Sequence, residues 1–66
     1  MADSVYKVVE VVGTSNESIS KAISRAISKA GATLRHLDWF EVVQIRGSIE
    51  NDQIRQYQVT VRSGSH

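Results

Sequence analysis

The chain carries two hydrophobic rhythms, and the switch between them sets the order of its elements. Tyr6-Lys7-Val8-Val9-Glu10-Val11-Val12 is dense in β-branched residues and stops at Gly13, which predicts a strand. Thr14-Ser15-Asn16-Glu17 then matches a capping box, in which the threonine hydroxyl takes a free N–H and Glu17 reaches back. Behind it Ile19, Ala22, Ile23, Ala26, Ile27 and Ala30 recur at spacings of three and four, a narrow apolar stripe along one helix. Lys29 falls in its last turn and Gly31 follows as a stop signal.

From Thr33 to Ile49 the chain is strand-like again, with Trp39, Phe40, Val42, Val43, Ile45 and Ile49. That run is long for one strand, where about 5–6 residues is usual. Glu50-Asn51-Asp52-Gln53 carries turn chemistry, because Asn and Asp tolerate left-handed backbone angles. Tyr57, Val59 and Val61 then alternate with Gln56, Gln58, Thr60 and Arg62, apolar one way and polar the other. Ser63-Gly64-Ser65-His66 has the composition of a flexible tail. The expectation is one α+β domain over residues 1–66, in the order β-α-β-β. The last two strands form an antiparallel hairpin, and a three-stranded antiparallel sheet covers one helix. Such a sheet keeps one side and its edges open.

Length and composition turn that openness into an argument for assembly. Sixty-six residues make one domain, and a chain this short buries only about 60% of its unfolded surface. Small folds compensate with disulfides, a structural metal or partner subunits. There is no cysteine, and His36 and His66 sit far apart outside any ligand cluster. Self-association is the remaining route. The net charge is +1 and the basic residues are scattered, unlike the basic stripe of a nucleic-acid module. No apolar run reaches the ~18 residues that span a bilayer. Met1-Ala2-Asp3-Ser4 lacks the charged and apolar regions of a secretory signal. The expectation is a cytoplasmic protein that binds neither nucleic acid nor membrane. The Asn16-Glu17-Ser18 sequon then reads as part of a helix start.

Candidate chemistry is sparse. No serine has a histidine and carboxylate relay, so an enzyme is not expected. Gly13-Thr14-Ser15 could seat a phosphate on free N–H groups, but it lacks the glycines and lysine of a P-loop and reads as a helix cap. His36 reads as a surface residue at a strand start. Trp39 is different. Trp39 and Phe40 are adjacent on a strand and must point to opposite faces. If Phe40 takes the helix side, Trp39 is left on the open face, where an exposed ring needs cover. It is either an interface anchor or one wall of a site for a planar heteroaromatic ligand.

Val11-Val12-Gly13-Thr14-Ser15, Leu37-Asp38-Trp39-Phe40-Glu41-Val42, Arg46-Gly47 and Tyr57-Gln58-Val59 together resemble, in order and spacing, the dodecin family. The resemblance runs from about Tyr6 to Val61. It implies a hollow homododecamer with cubic symmetry that binds and stores flavins, FMN or riboflavin, without turnover. It implies that Trp39 stacks on the isoalloxazine ring and that two-fold-related subunits sandwich a pair of flavins. An isologous interface turns one ring per subunit into two facing walls. Gln58, nineteen positions after Trp39, falls where the family hydrogen-bonds the polar edge of the flavin, and an amide offers both donor and acceptor there. Gln44 falls where the family contacts the ribityl chain. Arg46, on the same side by alternation, is suited to a phosphate. Some bacterial dodecins also look able to hold coenzyme A on the shell, a second ligand class to which no residue is assigned here. The alternative is a dodecin-like shell that binds coenzyme A, a metal ion or no flavin, with Trp39 as an interface anchor. The ending departs from the family, whose last strand continues with an apolar Val-Gly-Phe-Arg stretch that contributes to subunit packing.

Overall fold

A computed structural model describes residues 5–65. Its elements run β1 (Lys7–Ser15), α1 (Ile19–Thr33), β2 (Leu37–Glu50) and β3 (Gln53–Ser65). The order is the expected β-α-β-β, and the sheet is antiparallel with β3 in the middle, in the order β1-β3-β2. Asn51 and Asp52 join β2 to β3, both with left-handed φ of 54° and 62°. That is the backbone of a two-residue hairpin turn whose twist matches the strands it joins.

Several element ends differ from expectation. Gly13 does not stop β1, which runs on to Ser15. A Cβ at Gly13 would fall 2.9 Å from Ala26 Cβ and Ala26 N, and closer still to the Ala22 carbonyl oxygen. The glycine is there because the helix rests on the strand, and its role is room rather than termination. Thr14 therefore lies inside a strand and caps nothing. Ser18 is the N-cap, its Oγ accepting from Lys21 N at 3.0 Å. Ser15 Oγ accepts from Glu17 N at 2.9 Å and from Ser18 N at 3.3 Å. Glu17, expected to reach back, instead pairs with Lys21 one turn on. At the other end Gly31 lies inside the helix, which closes at Leu34 through a bond from Leu34 N to Ala30 O. Lys29 is consequently outside the last turn.

The expected flexible ending is also different. Ser63, Gly64 and Ser65 are buried, and they pair with β1 on one side and β2 on the other. His66 lies outside the described residues.

The buried apolar core is small. Ala22 and Ala26 of α1 meet Val59 and Val61 of β3, with Val11, Ile23 and Ile27 packed around them. The alternation in the last strand is obeyed, since Val59 and Val61 face the helix. The helix, however, packs chiefly on β1 and β3 and leaves most of β2 uncovered. Phe40 lies opposite the buried Ser63, so it is on the helix side, yet half of it is exposed. Val12, Val43, Ile45, Ile49 and Ile54 are exposed as well. No helix among the described residues is long and apolar enough to cross a membrane.

Candidate functional site

Alternation along β3 assigns side chains to faces. Val59, Val61 and Ser63 point at α1, so Gln58, Thr60, Arg62 and Gly64 belong to the side that no helix covers. The register carries this assignment to β2: Trp39 lies opposite Gly64, Glu41 opposite Arg62, Gln44 opposite Thr60, and Arg46 opposite Gln58. The register shifts between Leu37 and Trp39 and between Val42 and Gln44. The second shift switches the alternation, so Gln44 and Arg46, an odd number of positions from Trp39, come to share its face.

Trp39, Gln44, Arg46 and Gln58 thus stand on one face, but they do not form one cluster. Arg46 and Gln58 are direct cross-strand neighbours, and Gln44 is one row nearer to Trp39. Gly64, beneath Trp39, is six residues along β3 from Gln58. At a rise of about 3.3 Å per residue that separation is roughly 20 Å. One chain does not bring its tryptophan and Gln58 together. Among the described residues, the side chains of Gln44, Arg46 and Gln58 have no hydrogen bond or ion pair, so their donors and acceptors are uncommitted.

Trp39 is held from beneath. A Cβ on Gly64 would fall 2.5 Å from Cε2 and 2.7 Å from Nε1 of the indole, and Cζ2 is closer still. The ring therefore rests against the main chain of β3. Gly64 is buried, while Trp39 itself remains 38% exposed. Trp39 also borders a small cavity of about 120 Å³ with Ile27, Leu37, Asp38, Phe40 and Ser63. A larger apolar groove of about 290 Å³ lies at the far end of the hairpin, between Ile19, Ile45, Ile49, Ile54 and Tyr57, with Arg46 in its wall.

Between the tryptophan and the polar group lies a row that was not singled out in the sequence. Arg62 reaches Glu10 at 3.4 Å and Glu41 at 3.7 Å, so one guanidinium links all three strands. All three side chains are about half exposed, and such pairs contribute little individually. The other candidates carry no site. Serine hydroxyls already occupy N–H groups at the start of α1. His36 is exposed in the connection before β2, with φ 57°. Among the described residues no group of His, Cys, Asp or Glu is placed to hold a metal ion.

Comparison with known proteins agrees with this architecture. The dodecin family model matches residues 5–64. A dodecin from Thermus thermophilus is 53% identical over 60 residues, which is 91% of this chain and 87% of the relative. A Thermus thermophilus crystal structure superimposes with a TM-score of 0.84 at 53% identity, covering 91% of this chain and 88% of that one. The dodecin from Streptomyces coelicolor gives 0.85 at 47% identity, covering 97% and 91%.

Proposed function

The chain belongs to the dodecin family, and on that premise we propose that it binds and stores a flavin, FMN or riboflavin, without turning it over. The observation that carries this reading is the setting of Trp39. Its indole is backed by the main chain at Gly64, and the residue stays partly exposed on the face that no helix covers. A backed, presented aromatic ring is a stacking wall. Stacking an electron-rich indole on an excited flavin drains the excited state, so the store also suppresses flavin photochemistry.

The separation of Trp39 from Gln58 makes the site a property of the assembly. A two-fold axis supplies the second indole, and neighbouring copies bring Gln58, Gln44 and Arg46 to the ligand from their own sheets. Gln58 then reads the polar edge of the flavin, Gln44 the ribityl chain, and Arg46 the phosphate of FMN. Dodecins form oligomers, and the small core of this chain supports a homododecamer here. Its exposed Val43, Ile45, Ile49 and Ile54 are side chains that a free monomer would leave in water.

The test is native mass spectrometry of the protein loaded with FMN or riboflavin, beside the Trp39→Ala variant. The expected result is a twelve-chain particle carrying flavin, and a variant with the same number of chains that carries none. A variant that falls apart into small species would make Trp39 an interface anchor and would remove the ligand reading.

A further inference from the structure

We propose that Gly64 is the positioning residue of the tryptophan wall: the missing side chain on the central strand sets how far the Trp39 indole stands off the sheet. The ligand side of this inference rests on the flavin reading above, and the ring-placement side rests on geometry alone. Three observations meet at this point. The register puts Trp39 directly opposite Gly64 across β2 and β3. Gly64 is fully paired strand, held by Val8 of β1 on its other side, so its main chain cannot yield locally. An added Cβ would meet three indole atoms, with Cε2 at 2.5 Å and Nε1 at 2.7 Å. No backbone angle requires this glycine, since among the described residues no glycine has a positive φ. Room for the ring is the remaining reason.

Ordinary contact begins near 3.4 Å, so Gly64→Ala lifts the indole by about 3.4 − 2.5 = 0.9 Å at Cε2. In a two-fold sandwich both walls move inward, and the space for the flavin pair narrows by about twice that amount. Aromatic stacks hold carbon atoms at about 3.5–4.0 Å and do not tolerate such compression. Gly64→Ala is expected to weaken flavin binding about 10- to 100-fold, the range seen when one stacking contact is lost.

The experiment has two arms. Without ligand, near-ultraviolet circular dichroism and emission of Trp39, the chain's sole tryptophan, are compared between wild type and Gly64→Ala. With riboflavin, affinities are measured for wild type, Gly64→Ala, Trp39→Phe and the double variant. Phenylalanine lacks the benzo ring that carries Cζ2, the nearest of the colliding atoms, so the penalty of Gly64→Ala is expected to be clearly smaller in the Trp39→Phe background. If Gly64→Ala alone is insoluble, recovery of soluble protein in the double variant supports the proposal, and failure of both overturns it. An unchanged Trp39 spectrum in Gly64→Ala, or an equal affinity loss in both backgrounds, also overturns it. If wild type binds no riboflavin, the flavin reading falls, and the ligand-free arm still decides the role of Gly64.

Discussion

Replacing Gly13 by alanine places a methyl group inside the contact between β1 and α1. The new Cβ would lie 2.9 Å from Ala26 Cβ and Ala26 N and nearer still to the Ala22 carbonyl. Two of those partners are helix backbone, which cannot swing aside as a flexible side chain would. Restoring ordinary contact at about 3.4 Å requires the helix to move at least 0.5 Å from the strand. That movement opens the small core, because Ala22 and Ala26 are the helix's half of the cluster with Val59 and Val61. Overpacking of this kind costs about 1–3 kcal/mol, and rigid partners place Gly13→Ala at the upper end. A domain of this length has a total stability of about 3–10 kcal/mol, so the loss is a large share of it. At about 4–8 °C per kcal/mol, the midpoint should fall by about 12–24 °C. The assay is thermal unfolding followed by circular dichroism at one fixed protein concentration, since assembly makes the midpoint concentration-dependent. Gly31→Ala is the matched control. The Cβ there meets only Leu37 Cδ1 at 4.0 Å, and alanine is favoured over glycine within a helix by about 0.5–1 kcal/mol. The same chemical change should therefore destabilise at Gly13 and stabilise at Gly31. A Gly13→Ala midpoint within about 4 °C of wild type would refute the close-approach argument.

Three further outcomes follow from the same geometry. Ser18→Ala removes the N-cap acceptor and should cost about 1 kcal/mol in chemical denaturation, while Thr14→Ala, which removes no cap, should cost distinctly less. Asp52→Gly relieves one left-handed residue in the hairpin turn and should raise stability by about 0.5–1 kcal/mol, measured by the same unfolding curves. Arg62→Ala breaks both half-exposed pairs to Glu10 and Glu41 and should cost no more than about 1 kcal/mol, with the difference shrinking at high salt.

The element order was legible because the hydrophobic period changes with the backbone it belongs to. The stripe through Ala22 and Ala26 is helical, and the alternation of Val59 and Val61 is that of a strand; these four residues became the core. The Asn51-Asp52 turn was legible for a similarly local reason, as both residues do take left-handed angles. The glycines misled. Gly13 and Gly31 read as stops, yet neither ends its element. A glycine that provides room looks the same in sequence as one that provides a turn, and only the partner across the gap tells them apart. Ser63 to Ser65 misled in the same way. Small residues there read as a loose tail, whereas they fill a central strand beneath Trp39. The common side of Gln44 and Arg46 was readable from alternation. That Trp39 shares it was not, because Gln44 is an odd number of positions from Trp39 and only the irregularity between Val42 and Gln44 brings the two to one face. The spread of roughly 20 Å was not readable either, because it depends on strand order and register.

The central claim is that Trp39 is a ligand wall, and fluorescence titration of the ligand-free protein with FMN or riboflavin tests it most directly. The account predicts that flavin emission and Trp39 emission are quenched together, saturating at one flavin per chain, and that Trp39→Ala abolishes the effect. A titration that leaves both emissions unchanged while the protein remains assembled would contradict it.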